Sequence, residues 1–327
     1  MAPDPMPEQE RLALAFAKDH AFLFGLSYRM TGDPNDAEDV VQETFLRAME
    51  KPPAERGSSV RPWLARVALN LSRDLLRRRR RRRYVGPWLP GLLAGESETE
   101  VPAHEPEAFG ISTEGRYDLL ESVSIAFLHA LEALTPTQRA VLLLRDVFDY
   151  GVRATADALD MSEPNVKTTL HRARKAMQGY ERDRPASLAD VRGRTRDALA
   201  AFLDRLVAGD AEGTAALLAD DAIAVNDGGG EFHAARNVVR GRDRVARLHL
   251  GLVGRLRGDV GIQLREINGL PALVVEFGTA APGYAPRSVV AVRVDDNGRI
   301  IGVYTVLASA KLAQVASEPD ATRLSFG

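Results

Sequence analysis

No cysteine occurs anywhere in the 327 residues. That excludes disulfides and thiolate zinc sites, and it points to a reducing cytoplasm as the place of work. No apolar run approaches the roughly 18 residues that span a bilayer, so no membrane contact is expected. A positively charged start is missing too: the chain opens MAPDPMPEQE, acidic and proline-rich, unlike a secretory signal peptide. Net charge is nearly absent, −2 overall, but the balance conceals segments of opposite sign. The apolar and charged fractions, 45% and 27%, are those of globular domains, and the length allows about two or three of them.

The most basic segment is WLARVALNLSRDLLRRRRRRR. Between Arg61 and Arg83 ten arginines face one acid, Asp74, a local charge of +9. At helical spacing Trp63, Leu64, Val67, Ala68, Leu71 and Leu75 form one apolar stripe, expected to face a core. Arg66, Asn70, Arg73 and Arg77 share a different, outward stripe. Arginines there suit phosphates, and an asparagine that both donates and accepts suits a base edge. Most charge runs are only solvated faces. The unbroken run from Arg77 to Arg83 repels itself strongly, however, which favours a polyanion partner. A membrane surface is the weaker reading, because the core uses the apolar stripe.

The preceding segment has the opposite sign. Glu8 to Met30 reads as a helix ended by Gly32, and Asp33-Pro34 caps a second helix that runs to Met49. Between Asp33 and Glu50 six acids stand against Arg47 alone. Ala37, Val40, Val41, Phe45 and Ala48 point inward; Asp36, Asp39, Glu43 and Glu50 share the outer stripe, with Glu38 and Gln42 beside it. An acidic helix next to a basic one implies two different partners.

GDPNDAEDVVQETFLRA followed by RPWLARVALNLSRDLLRRR resembles region two of the extracytoplasmic-function sigma factors of bacterial RNA polymerase. The resemblance implies that Asp36, Asp39, Gln42 and Glu43 bind the clamp coiled coil of RNA polymerase core. It also implies that Arg66, Asn70, Arg73 and Arg77 meet the minus-ten element of promoter DNA.

Tyr84 to Pro90, YVGPWLP, places two aromatics among prolines with no helix or strand to hide them, and reads as a short docked motif. From Glu96 to Glu132 nine acids stand against Arg116, a linker composition. Asp118 to Leu134 is expected to form one amphipathic helix. Thr135-Pro136-Thr137-Gln138 then opens a helix through Val147 with a capping box and a first-turn proline. Arg153 to Leu159, a turn at Asp160-Met161, and Glu163 to Gly179 make a helix-turn-helix. On its second helix Val166, Leu170, Ala173 and Met177 face inward, while Lys167, Thr168, His171, Arg172 and Lys175 offer donors for phosphates and base edges. His171 lacks a neighbouring carboxylate or second histidine in sequence, so a metal or catalytic role has little support.

LTPTQRAVLLLRDVFDYG and MSEPNVKTTLHRARKAM resemble region four of the same family. That implies Lys167, Thr168, His171 and Arg172 on the minus-thirty-five element, and the polymerase flap as a further contact. Two such modules on DNA lie roughly 70 Å apart, whereas a free coil of the length of residues 84–118 averages about 30–35 Å. The linker is therefore expected to be held extended on a promoter. The YVGPWLP string resembles a signature of the sigma subgroup that carries an extra C-terminal domain.

Beyond Pro185 the texture changes. Helices are expected at Leu188–Val207, Ala211–Leu218 and Gly241–Leu256. Strands are expected at Ala222–Asn226, Glu231–Val238, Ile262–Ile267, Ala272–Phe277, Ser288–Val294 and Ile300–Val306, with Asp296-Asn297-Gly298 as a hairpin turn. Helices followed by a strand meander give an α+β cone with an interior cavity. Asp190 to Val315 resembles a SnoaL-like domain, a fold shared with polyketide cyclases and ketosteroid isomerase. In the fused subgroup this implies contact between Asp227-Gly228-Gly229-Gly230 and Tyr84, Trp88 and Pro90. Asn226, Asp227, His233, His249 and Tyr304 are the candidates for catalysis, but the sequence gives none of them a partner or a desolvating pocket. The triple glycine lacks the frame and lysine of a P-loop.

The expectation is sigma region two over residues 1–84, a linker over 85–117, region four over 118–182, a short linker over 183–189, the SnoaL-like cone over 190–315 and a tail over 316–327. Its function would be to direct RNA polymerase core to promoters under cis-regulation by the cone, without catalysis, metal or cofactor. The alternative is a SnoaL-type isomerase or hydrolase, or a sensor of an unidentified small ligand in the cone, fused to a DNA-binding region. A helix-turn-helix regulator that never touches polymerase would leave the acidic face without a task.

Overall fold

The computed structural model describes residues 8–51, 60–81, 84–94, 116–119, 121–184, 188–278, 281–316 and 322–326. Most of the acidic linker, and the side chains of the last four arginines of the run, lie outside the described residues. By contact the chain divides into two units. One comprises Met1–Arg82, Ser97–Ser122 and Leu131–Gln178, the other Arg83–Glu96, Val123–Ala130 and Gly179–Gly327.

The first unit is helical. α1 (Glu8–Thr31), α2 (Pro34–Glu50) and α3 (Arg61–Arg81) pack against one another. Gly32, at φ +69°, ends α1, and the Asp33 side chain accepts from the Asn35 and Asp36 amides to start α2. Ala37, Val40, Val41, Phe45 and Ala48 are buried as their spacing predicts. On α3 the buried stripe is Leu64, Ala65, Ala68, Leu69, Ser72 and Leu76; Trp63, Val67, Leu71 and Leu75 are only half-buried. The helix is rotated from the expected face because small side chains at 65, 68 and 72 admit close approach of its neighbours.

The single helix expected over Asp118–Leu134 is broken into a 3₁₀ turn (Glu121–Val123), α4 (Ile125–Ala130) and a second 3₁₀ turn (Leu131–Ala133). Serines account for the first break: Ser122 Oγ donates to the Leu119 carbonyl at 2.6 Å and Ser124 Oγ accepts from the Phe127 amide at 3.2 Å. α5 (Pro136–Leu142) opens with the full Thr135/Gln138 capping box, but it passes into one π turn, Leu143–Val147. α6 (Val152–Leu159), a left-handed Asp160 and α7 (Glu163–Arg182) form the helix-turn-helix. Val166, Leu170, Ala173 and Met177 are buried in it.

The second unit holds α8 (Leu188–Val207), α9 (Ala211–Ala216), α10 (Arg242–Val253) and a seven-stranded sheet. The strands are β1 (Leu218–Asp227), β2 (Val239–Arg240), β3 (Gly258–Ile267), β4 (Leu270–Phe277), β5 (Arg287–Val294), β6 (Ile300–Val306) and β7 (Thr322–Phe326), in the order β2-β1-β6-β5-β4-β3-β7. β1 and β6 run parallel, with Val225 beside Tyr304; every other pairing is antiparallel. Glu231–Val238 is not a strand, because the Glu231 and Phe232 amides turn back onto the Gly228 carbonyl. The expected tail supplies β7, whose Leu324 pairs with Val260.

Side chains alternate cleanly between the two sheet faces. Leu273, Val275, Val292 and Val294 face α8 and α10. Ala272, Val274, Val289 and Ala291 face the other way, where Leu89 and Leu92 of the YVGPWLP region, Ile125 of α4, and Leu312 cover them. Burial on both faces explains why β4 and β5 read as nearly unbroken apolar runs.

Candidate polymerase and nucleic-acid interfaces

On α2 Asp39 and Gln42 are exposed, while Asp36, Glu38 and Glu43 are half-buried. Gln42 donates to Glu38 at 3.3 Å, and Arg47 pairs with Glu43 at 2.8 Å, which leaves the face net acidic. Leu46 and Met49 lie in the same exposed region, 51% and 60% accessible. Their position among the acids was hidden from a reading that sorted α2 into an apolar inside and a charged outside.

On α3 Arg66, Asn70 and Arg77 are exposed and Arg73 is half-buried. In the helical unit α3 packs on α5 and α6. Arg73 donates to Thr137 Oγ1 at 3.3 Å, and Arg66 lies 3.9 Å from Asp160 in the turn of the helix-turn-helix. Burial and the neighbouring Arg77 lower the pKa of Arg73 from its usual value. Two buried arginines absent from the sequence reading tie α1 to Leu119 and Ser122 and to α5. Arg29 of α1 donates to the Leu119 carbonyl at 2.8 Å and Ser122 at 2.6 Å, its pKa lowered to about 10 by desolvation. Arg139 of α5 donates to the Met30 carbonyl at 2.9 Å and to Glu132 at 2.6 Å. Neither shows a pattern in sequence, because an isolated arginine among apolar residues looks like any surface charge.

On α7 Lys167, Thr168, His171, Arg172 and Lys175 are all exposed along one side. Arg174 points elsewhere and makes a two-pronged pair with buried Asp146, 2.6 and 2.9 Å, fixing α7 on the π turn.

In the second unit Asp227 sits at the end of β1 with 0% exposure. Its Oδ1 accepts from Tyr84 Oη at 2.6 Å and the Gly229 amide at 2.9 Å; its Oδ2 accepts from the Leu89 amide at 2.7 Å and Lys311 Nζ at 2.5 Å. Lys311 also donates to the Leu89 carbonyl at 2.6 Å and lies 4.6 and 4.4 Å from the Tyr84 and Trp88 ring centres. The Trp88 carbonyl meets His129 Nδ1 at 3.1 Å, and Pro90 is buried. Gly228 leaves no room for a side chain, since a Cβ would lie 2.6 Å from the Phe232 carbonyl. Gly230, at φ +79°, would bring a Cβ within 3.2 Å of Val85. Glu231 takes the Ser309 amide at 3.1 Å and hydroxyl at 2.7 Å, steadying the turn that presents Lys311. A second grip comes from Asn268, whose Oδ1 accepts from the Leu93 amide at 3.0 Å and whose Nδ2 donates to the Val123 carbonyl at 2.7 Å. Asn268-Gly269, both with positive φ, is a hairpin turn. The Asn-Gly pair was its sequence signal. Lys311 had none.

These contacts use up Asp227, so it is no free base. Tyr304 is fully buried, its phenol pKa raised by desolvation. His249 Nδ1 donates to the Val245 carbonyl at 2.9 Å, while its buried Nε2 has no partner and desolvation holds its pKa down. Asn226 is buried, and His233 is exposed beside Tyr284. None of the five lines the cleft of about 400 Å³ between α8, α10 and β7, whose walls include Leu206, Leu250, Val253, Leu256 and Phe326. No group of metal-binding side chains occurs among the described residues, and no helix among them is long and apolar enough to cross a membrane.

Two family models match, Sigma-70 region 2 at residues 15–82 and Sigma-70 region 4 at residues 124–177. The ECF RNA polymerase sigma factor SigJ of Mycobacterium tuberculosis is 32% identical over 292 residues, 87% of this chain and 88% of that protein. This chain belongs to the extracytoplasmic-function sigma factors. The crystal structure of M. tuberculosis SigJ matches this sigma factor with a TM-score of 0.70 at 27% identity, covering 92% of this chain and 98% of that one. The sigma factor SigG of the same species is 39% identical over 176 residues, but that match spans only 48% of this chain and 45% of SigG. The longer similarity to SigJ thus takes in the C-terminal domain. Members of the family are transcription initiation factors rather than enzymes.

Proposed function

We propose that this sigma factor holds RNA polymerase core through α2 and reads promoter DNA through α3 and α7. Asp36, Asp39, Gln42 and Glu43, with Leu46 and Met49 beside them, meet the basic clamp coiled coil. Arg66, Asn70, Arg73 and Arg77 take the minus-ten element; Lys167, Thr168, His171 and Arg172 take the minus-thirty-five element. The region of α5 to α7 meets the flap. One observation carries the reading: a single helical unit exposes an acidic face with apolar centres on α2 and separate donor-rich faces on α3 and α7. Acid suits a basic protein surface, and guanidinium and ammonium groups suit phosphate.

Two promoter elements roughly 70 Å apart cannot be read while α3 packs on α5 and α6, so engagement separates them. The C-terminal domain acts in cis on that step. It grips Tyr84 and Leu89, close after α3, and Val123, just ahead of α4 and one short helix before α5. Any shift of the domain is therefore felt at both DNA-reading regions. Run-off transcription with core polymerase tests the reading. Wild type is expected to initiate from a defined promoter, and Arg172→Ala to lose discrimination at the minus-thirty-five element. Core-dependent initiation with no promoter preference in the wild type would refute it.

A further inference from the structure

Between Arg236 and Arg257 seven arginines stand against one acid, Asp243, a local charge of +6 within a C-terminal domain that the sequence reading gave no DNA role. Arg240 ends β2. Arg244 and Arg247 lie on the side of α10 opposite buried Val245, Ala246 and His249, and Arg255 follows just past the helix end. All four are exposed.

Within that segment Arg242 pairs with Asp220 at 2.9 Å, and elsewhere in the domain Arg192, Arg205, Arg287 and Arg299 each meet a carboxylate at 2.8–3.0 Å. Arg236, Arg240, Arg244, Arg247 and Arg255 make no ion pair among the described residues; Arg247 only folds its Nε back on the Asp243 carbonyl at 3.1 Å. Surface arginines that leave one another unneutralised along a line repel, and a polyanion relieves that repulsion. The 12-residue helix is about 18 Å long, along which a duplex presents about five phosphates per strand. A protein partner fits poorly, since the stripe holds no aromatic anchor and only Leu252 is a large exposed apolar side chain on the helix.

We propose that Arg240, Arg244, Arg247 and Arg255 bind the phosphate backbone of the promoter duplex, so that the C-terminal domain is a third, sequence-independent DNA contact. The inference rests on the promoter-binding reading above but concerns residues outside both helical regions. Holoenzyme reconstituted with the full chain is titrated with promoter DNA over a range of salt. Each phosphate contact contributes close to one unit of slope in log K against log salt. Replacing all four arginines by glutamine is expected to reduce the slope by about 2–4 units, with melting temperature and promoter preference unchanged. An unchanged slope overturns the proposal. So does weakened binding to core with normal DNA affinity, which would assign the stripe to polymerase.

The absence of cysteine permits a second, direct measurement. Gly251 sits between Arg247 and Arg255 with nothing within 4 Å of where a Cβ would stand. Gly251→Cys bearing a photo-crosslinker is expected to label promoter DNA in the holoenzyme; labelling of polymerase alone, or of neither, overturns the proposal. If wild-type holoenzyme binds no promoter, the promoter reading falls. If it binds, and Arg172→Ala alters its preference while the glutamine variant matches wild type, only the stripe falls.

Discussion

At Asp227 four donors converge on one carboxylate, and the balancing charge, Lys311, is 8% exposed. A buried pair of this kind is of little net benefit over apolar groups, but losing one member strands the other. Lys311→Ala is expected to destabilise the C-terminal domain by about 3–5 kcal/mol, seen as a lower unfolding temperature. Asp227→Asn combined with Lys311→Met should restore much of that loss. Failure of the double variant to recover would show that the lysine acts through packing on Tyr84 and Trp88, not through charge. His249 is a second test at this scale. Its folded pKa lies below the unfolded value of about 6.5, so the unfolded chain takes up the proton first as pH falls. Stability is thus complete above about pH 6.5 and declines as acid is added towards the folded pKa. His249→Leu should flatten the decline of thermal stability below about pH 6.5; an identical slope in the variant would remove the histidine from the account.

Among the elements, α2 and α3 were legible in their ends and unequally in their faces. The α2 face was readable because its apolar positions are large and its caps strong. The α3 face was misread because Ala65 and Ser72 pack by being small, which hydrophobic spacing does not register. The break at Ser122 and Ser124 was missed because serine competes with helix only when its hydroxyl finds a backbone partner, a tertiary outcome. The two-residue β2 is too short to carry a pattern, and the terminal β7 depends on β3, far away in sequence. Lys311 could not be read at all. For α2 itself, Asp39→Arg should abolish co-purification with core polymerase and leave the melting temperature unchanged, since Asp39 is exposed. Undiminished co-purification would move the polymerase contact elsewhere.

Across the whole molecule, two compact units do not correspond to three consecutive domains. Segments flanking the acidic linker belong with the sheet, so residues 190–315 expressed alone would bare Val274, Val289 and Val306. That fragment is expected to aggregate, or to bind a hydrophobic dye, and adding a peptide of residues 84–94 should suppress both. A soluble, dye-silent fragment would show the apolar face to be closed by other means. Truncation after Arg184 has the converse effect, leaving Trp88, Leu89 and Leu92 without their sheet. It is expected to change run-off transcription, whichever direction the change takes; output equal to full length would deny the domain any influence on initiation.

The contact between Leu89 and Asp227 joins residues 138 positions apart, and that between Leu89 and Lys311 spans 222. On the ribosome these distances become time. At roughly 5–20 residues per second, Asp227 is made about 7–28 s after Leu89, and Lys311 several seconds later still. Late in that interval, once Arg182 has been made, α1 to α7 are complete and the YVGPWLP segment has no sheet to cover. A nascent chain therefore passes through a stage in which it carries both sigma regions and no C-terminal domain.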